Sequence, residues 1–183
     1  MGRDSKPMQV GTKFKDLLSQ SKIKQNSAMS PVLNIWKKLS PKPFGKWLFT
    51  RVICFKAPYF ATISPRFEAL RPGYARVSMK IRRGVRNHIQ SVHAIAMCNL
   101  AELGAGTMME ASLSRNMRWL PRGMSVQYLK VARTNLVAEC VANDIDDGPA
   151  RDVIVSCDIK DAGGNIVCHA DVAMYISPRK VHP

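Results

Sequence analysis

Apolar residues along this chain follow a helical spacing first, then a strand spacing, then a long unbroken run, then strands again. Near the start, Val32, Leu33, Ile35, Trp36 and Leu39 share one broad face with Lys37 and Lys38 opposite, and Ser30-Pro31 provides a cap followed by proline at the first helical position. A second short helix is expected after Pro41 or Pro43, carrying Phe44, Trp47, Leu48, Val52 and Ile53. Residues 1–26 are polar and lysine-rich apart from Phe14, Leu17 and Leu18, and read as a loosely ordered arm or frayed helix. From about residue 57 the period shortens to two. Strands are expected over 61–70 and 74–82 around an Arg71-Pro72-Gly73 turn, with Pro65 at an edge or ahead of the strand proper.

A polar loop over 83–91 leads into a helix over roughly 92–112, apolar on every side. Further strands are expected over 124–132 and 136–142, followed by two strands joined at the Asp161-to-Asn165 hairpin turn. In the first of these, Val153, Val155, Cys157 and Ile159 alternate with Ile154, Ser156, Asp158 and Lys160. Such alternation predicts an antiparallel sheet with one buried face. A helix that is apolar all round must be covered nearly everywhere, which a curved sheet wrapped around it achieves. The expected fold is therefore α+β: a curved antiparallel sheet around one long central helix, with a basic helical extension over residues 1–56 ahead of a domain over 57–183.

Charge refines this division. The chain carries 28 Lys/Arg against 13 Asp/Glu, a net +15, and residues 1–56 alone hold 12 Lys/Arg against Asp4 and Asp16. An anionic partner or a solvated basic face both fit that excess. Nucleic acid is the weaker partner, because aromatics are only 7% and no recognition motif is present. The N-terminal helices are expected to pack on the body or to make peripheral membrane contact, with tryptophan and lysine at the headgroup level. Five cysteines without C-x-x-C spacing fit a reducing, cytoplasmic setting and exclude a zinc site or disulfide framework. No apolar signal-peptide core and no metal or cofactor motif is visible.

Candidate chemistry lies at the loop–helix junction. Between Val92 and Met109 the only charged residue is Glu102, and an unpaired carboxylate in such company needs a partner or a task. Upstream stand Arg86-Asn87-His88, Ser91 and His93. The segment NHIQSVHAIAMCNLAE, within this order of elements, resembles the hotdog-fold acyl-CoA thioesterases, and most of all the phenylacetate-pathway and four-hydroxybenzoyl-CoA branch. The resemblance covers about residues 57–177. Its motif is an Asn, a His six residues on and an acid nine further, met here by Asn87, His93 and Glu102. Ala94 and Ile95 stand where that family has glycines after the histidine, and Gln90 where its loop often has one.

The resemblance implies hydrolysis of an acyl-CoA or other acyl thioester, without a cofactor, by a homodimer or a tetramer built from such dimers. The free N–H groups at the helix start suit an oxyanion, so Ala94 N–H is the expected donor with Asn87 beside it. Glu102 is the expected general base or nucleophile. It lies eight residues beyond Ala94, roughly 12 Å along the helix, so it would serve the partner's helix start. Arg82, Arg83 and Arg86 are candidates for the phosphates of coenzyme A, and Ile95 for contact with the thioester. The competing expectations are structural: Glu102 as a carboxylate bonded across the dimer, His93 as a cap, Asn87 as a turn residue and the arginines as a solvated loop. His88, His169 and His182 have no partner at a useful spacing. A non-catalytic acyl-thioester or lipid-binding module is the alternative function.

Overall fold

The computed structural model describes residues 30–143 and 145–179, so the arm expected over 1–26 lies outside the described residues. Helix α1 (Pro31–Leu39) begins where the Leu33 N–H donates to Ser30 Oγ at 3.4 Å, with Pro31 in its first turn. Helix α2 (Gly45–Lys56) and a short 3-10 helix (Pro58–Ile63) follow. Trp36 of α1 meets Phe49 of α2 edge-on at 5.0 Å between ring centres, and Phe49 meets Phe67 of the first strand at 5.3 Å. Both helices thus share one hydrophobic core with the sheet.

Six strands form that sheet: β1 (Pro65–Arg71), β2 (Tyr74–Met79), β3 (Met117–Tyr128), β4 (Leu136–Val141), β5 (Arg151–Lys160) and β6 (Ile166–Pro178). They lie in the order β1-β2-β4-β5-β6-β3 and every pairing is antiparallel. Helix α3 (Ala94–Ser112) touches every strand and buries 13 of its 19 residues. Two glycines set its seat. A Cβ on Gly104 would stand 2.6 Å from Cys140 Sγ of β4, and one on Gly106 would stand 2.8 Å from the Trp119 ring of β3. This is the hotdog arrangement that the alternation and the all-apolar helix predict.

β3 departs from the expected 124–132, starting at Met117 and running through Pro121. β3 is an edge strand with a register shift between Pro121 and Gly123, and at an edge a proline costs no ladder hydrogen bond. The two edges differ. Along β1, α2 covers the edge: Phe67 N–H donates to Thr50 Oγ1 at 3.1 Å, and Lys46 Nζ donates to the Glu68 carbonyl at 2.7 Å. Among the described residues β3 pairs only with β6, and its other side carries no strand.

Candidate functional site

The start of α3 is pinned from both sides. Val92 N–H donates to the Ala132 carbonyl and His93 N–H to the Val85 carbonyl, each at 2.8 Å. His93 is the N-cap: its Nδ1 accepts from the Ile95 N–H at 3.1 Å, while Ala96 N–H reaches the His93 carbonyl at 3.0 Å. These bonds occupy the amides on either side of Ala94. Ala94 N–H has no acceptor among the described residues, at the end of the helix where the dipole is positive. The expected oxyanion donor is therefore open.

Asn87 closes the preceding loop. Its Oδ1 accepts from the Ile89 and Ser91 N–H groups, both at 3.1 Å, and its Nδ2 donates to Ser91 Oγ at 2.8 Å. Its second amide hydrogen has no acceptor among the described residues. Within the loop Gln90 takes the left-handed backbone conformation, φ 63°, at the position where the resembled family has glycine. A residue with a Cβ pays roughly 1 kcal/mol there, and the Asn87 bonds hold the turn against it.

Glu102 is partly exposed on α3, and its carboxylate has no hydrogen bond or ion pair among the described residues. Its flank of the helix faces β3. One turn earlier, Cys98 Sγ lies 3.2 Å from Tyr128 Oη; one turn later, Gly106 rests on Trp119, whose Nε1 donates to Glu110 Oε2 at 2.8 Å. The bond to Cys98, with some burial, pushes the Tyr128 phenol up to about 12. Burial pushes the Cys168 thiol up to about 12 as well.

Of the three arginines, Arg82 turns inward: its Nη2 donates to the Thr62 carbonyl and its buried Nε has no partner. Arg83 and Arg86 stay exposed, without a carboxylate partner among the described residues. Ile95 is 55% exposed, beside the open Ala94 N–H. The fold thus gathers His93, Ala94, Ile95, Arg83, Arg86 and the Asn87 loop at one end of α3, and leaves Glu102 about two turns away.

Two residues escaped the sequence reasoning. Asn99 is buried, donates to Thr62 Oγ1 at 3.3 Å and leaves its Oδ1 unpartnered. Its signal was available, as the one amide in the apolar helix, three residues before Glu102. The second is Asp158, wholly buried on β5, whose Oδ1 lies 2.7 Å from His169 Nδ1. His169 Nε2 lies 3.4 Å from Asp171 Oδ1, which accepts from Ser156 Oγ at 2.6 Å. The hydrogen bond that His169 donates to Asp158, reinforced by the charge of Asp171, raises the His169 pKa. His169 therefore has a partner, where the sequence offered none; His88 is exposed, and His182 lies outside the described residues. Among the described residues no cluster could hold a metal ion, and no helix is long and apolar enough to cross a membrane.

No curated protein matches this chain. It is similar to a crystal structure from structural genomics, 38% identical with a TM-score of 0.70, covering 81% of this chain and 99% of that one. It is also similar to a protein of unknown function from Pseudomonas aeruginosa described as a probable thioesterase, at 20% identity, a TM-score of 0.62, and 70% and 92% coverage. A thioesterase from Haemophilus influenzae matches at 12% identity and a TM-score of 0.61, with 68% and 85% coverage. These two likenesses are of fold. The family model described as a domain of unknown function (DUF4442) matches residues 45–176, from the start of α2 into β6 and across every expected site residue, and the chain belongs to that family.

Proposed function

We propose that this protein hydrolyses acyl thioesters of the acyl-CoA type at the interface of a homodimer, with Glu102 of one copy facing the helix start of the other. The observation that carries the reading is a pair of groups on α3 that find no partner among the described residues, the Ala94 N–H and the Glu102 carboxylate. They are complementary, yet roughly 12 Å apart along one helix, so a single copy does not bring them together. The open edge of β3, with Leu120 and Tyr128 exposed on that strand and Leu129 and Val131 just beyond it, supports pairing with a second copy.

In this mechanism Glu102 takes a proton from water as the water oxygen bonds to the thioester carbonyl carbon. The oxyanion that forms is held by Ala94 N–H and the remaining amide hydrogen of Asn87. Collapse breaks the C–S bond, and the sulfur leaves as a thiol once the proton held by Glu102 returns to it. The products are a carboxylic acid and a free thiol. His93 holds the helix start in place through its cap, and Arg83 and Arg86 offer charge to the nucleotide phosphates. The spacing of Asn87, His93 and Glu102 supports the phenylacetate-pathway and four-hydroxybenzoyl-CoA branch, so aromatic acyl groups belong among the substrates tried first.

One observation favours a second reading. Ile95 projects beside the proposed oxyanion donor, where the resembled family has glycine, and could block the approach of water while an acyl chain still binds. Thiol release from short, long and aromatic acyl-CoAs separates the two. Release above the buffer blank supports hydrolysis. Saturable acyl-CoA binding without release over a long incubation supports the binding module, and neither binding nor release removes both.

A further inference from the structure

Helix α2 is apolar on two opposite faces, and only one of them is used by the core. Phe49, Thr50 and Cys54 are buried. On the other side Phe44, Trp47 and Phe55 are 86%, 57% and 88% exposed, joined by Leu48 and, just past the helix, Tyr59. At 3.6 residues per turn, Phe44, Trp47, Leu48, Arg51 and Phe55 fall within a stripe about 100° wide. Phe44 also takes the left-handed conformation, φ 59°, as the residue preceding α2, which folding alone does not reward because its ring remains in solvent.

The charge around this stripe has one sign. Between Ser30 and Phe67 the chain has seven Lys/Arg and no Asp or Glu. Lys46 is engaged by Glu68, but Lys42, Arg51 and Lys56 have no carboxylate partner among the described residues. Arg51 lies over the Trp47 ring at 5.9 Å from its centre. Arg51 and Lys56 also border a shallow hollow of about 390 Å³, lined further by Val52, Cys54, Phe55 and Ala61.

We propose that this face of α2 docks on an anionic membrane surface. Trp47, Leu48, Phe55 and Phe44 enter the boundary between headgroups and acyl chains, while Lys42, Arg51 and Lys56 meet lipid phosphates. The hollow between Arg51 and Lys56 receives one headgroup above an apolar floor. A second copy of the chain is the poorer occupant, because it would bring the same unpaired positive charges against these. The 3-10 helix ties the face to the central helix, since Ala61 lines the hollow and the adjacent Thr62 bonds to Asn99. The inference does not depend on the proposed hydrolysis.

Sedimentation of the full chain with vesicles tests it, using phosphatidylcholine alone and phosphatidylcholine mixed with phosphatidylglycerol. Binding is expected to the mixed vesicles and to weaken as salt is added. Two double variants, Trp47→Ser with Phe55→Ser and Arg51→Gln with Lys56→Gln, change exposed side chains and should keep the thermal midpoint. Each should lower the apparent affinity for mixed vesicles by at least about tenfold. Three results would overturn the proposal. The full chain could ignore mixed vesicles altogether. Both variants could bind as the wild type does, which would assign binding to the basic residues before Ser30. Or the Trp47/Phe55 variant could lose a dimer in analytical ultracentrifugation while its vesicle binding stayed unchanged, which would make the face a contact between copies.

Discussion

Asp158 in β5 and Glu102 in α3 are carboxylates on two elements that the core buries along one face or more, and the chain treats them in opposite ways. Asp158 is wholly buried and paired within the fold through Oδ1, with His169 directly across the strand pair at 2.7 Å and Asp171 and Ser156 extending the polar contacts, while its Oδ2 has no hydrogen-bond partner among the described residues. On its other side stands Glu139, itself held by Lys160 at 2.5 Å and Arg76 at 3.8 Å. Glu102 is less deeply placed and has no partner within the described residues. A charge that the fold satisfies contributes to folding. One that the fold leaves partly exposed and without a partner is placed to meet a substrate or a second copy, as the proposed mechanism requires.

The largest effect that could break this contrast is on catalysis. Glu102→Ala should lower thiol release by about 10²–10⁴-fold, the range of general acid–base catalysis, and leave the thermal midpoint nearly unchanged. Turnover that survives the change would remove Glu102 from the mechanism. Next comes the converse substitution. Asp158→Ala leaves a half-buried histidine without its acceptor and should destabilise the protein by about 3 kcal/mol, read from urea unfolding. Its activity per folded molecule should hold, and a selective loss of turnover would mean that the two acids are not so different in kind.

How much of this was legible before the fold was known follows the same division. Glu102 stood out because a single charge interrupts a long apolar run, a local signal that needs no tertiary knowledge. The central helix, the strand alternation and the Ser30-Pro31 cap were legible for the same reason. Alternation in β5 puts Asp158 on the face opposite Cys157 and Ile159, and it does sit on the outer side of the sheet. Its burial depends on which residues lie across from it. Counting back evenly from the Asp161-to-Asn165 turn sets residue 158 opposite 168. A register shift between Ile159 and Lys160 sets it opposite His169 instead. Edge position likewise decided β3: Leu120-Pro121-Arg122-Gly123 has the composition of a turn, and only an unpaired neighbour lets proline stay in the strand. The open Ala94 N–H depends on where the His93 ring points, which spacing alone does not fix.

A smaller effect sharpens the comparison through pH. His169 gains a partner on folding, so its folded pKa is raised above the unfolded value, with the Asp158 hydrogen bond as the main cause. The stabilisation is therefore fully present below the unfolded pKa of about 6.5 and fades as pH rises through the folded value. The midpoint difference between wild type and His169→Gln should be greatest near pH 6 and shrink toward alkaline pH. A difference that grows with pH would mean that His169 is held in its neutral form.

The smallest effect distinguishes positioning from chemistry at the helix start. His93 Nδ1 caps the Ile95 N–H, and a residue without a capping side chain there should cost about 1 kcal/mol of stability. Asn and Ser are short, neutral and good caps. If His93 acts only by fixing the first turn of α3, His93→Asn should recover both the stability and most of the turnover lost in His93→Ala, because each keeps Ala94 N–H aimed at the carbonyl oxygen. If the imidazole instead moves a proton, His93→Asn should restore the thermal midpoint and leave turnover low. The first outcome is expected: the ring nitrogen that faces the helix already accepts from a backbone N–H, so the proposed mechanism gives the histidine the part of holding the peptide beside it.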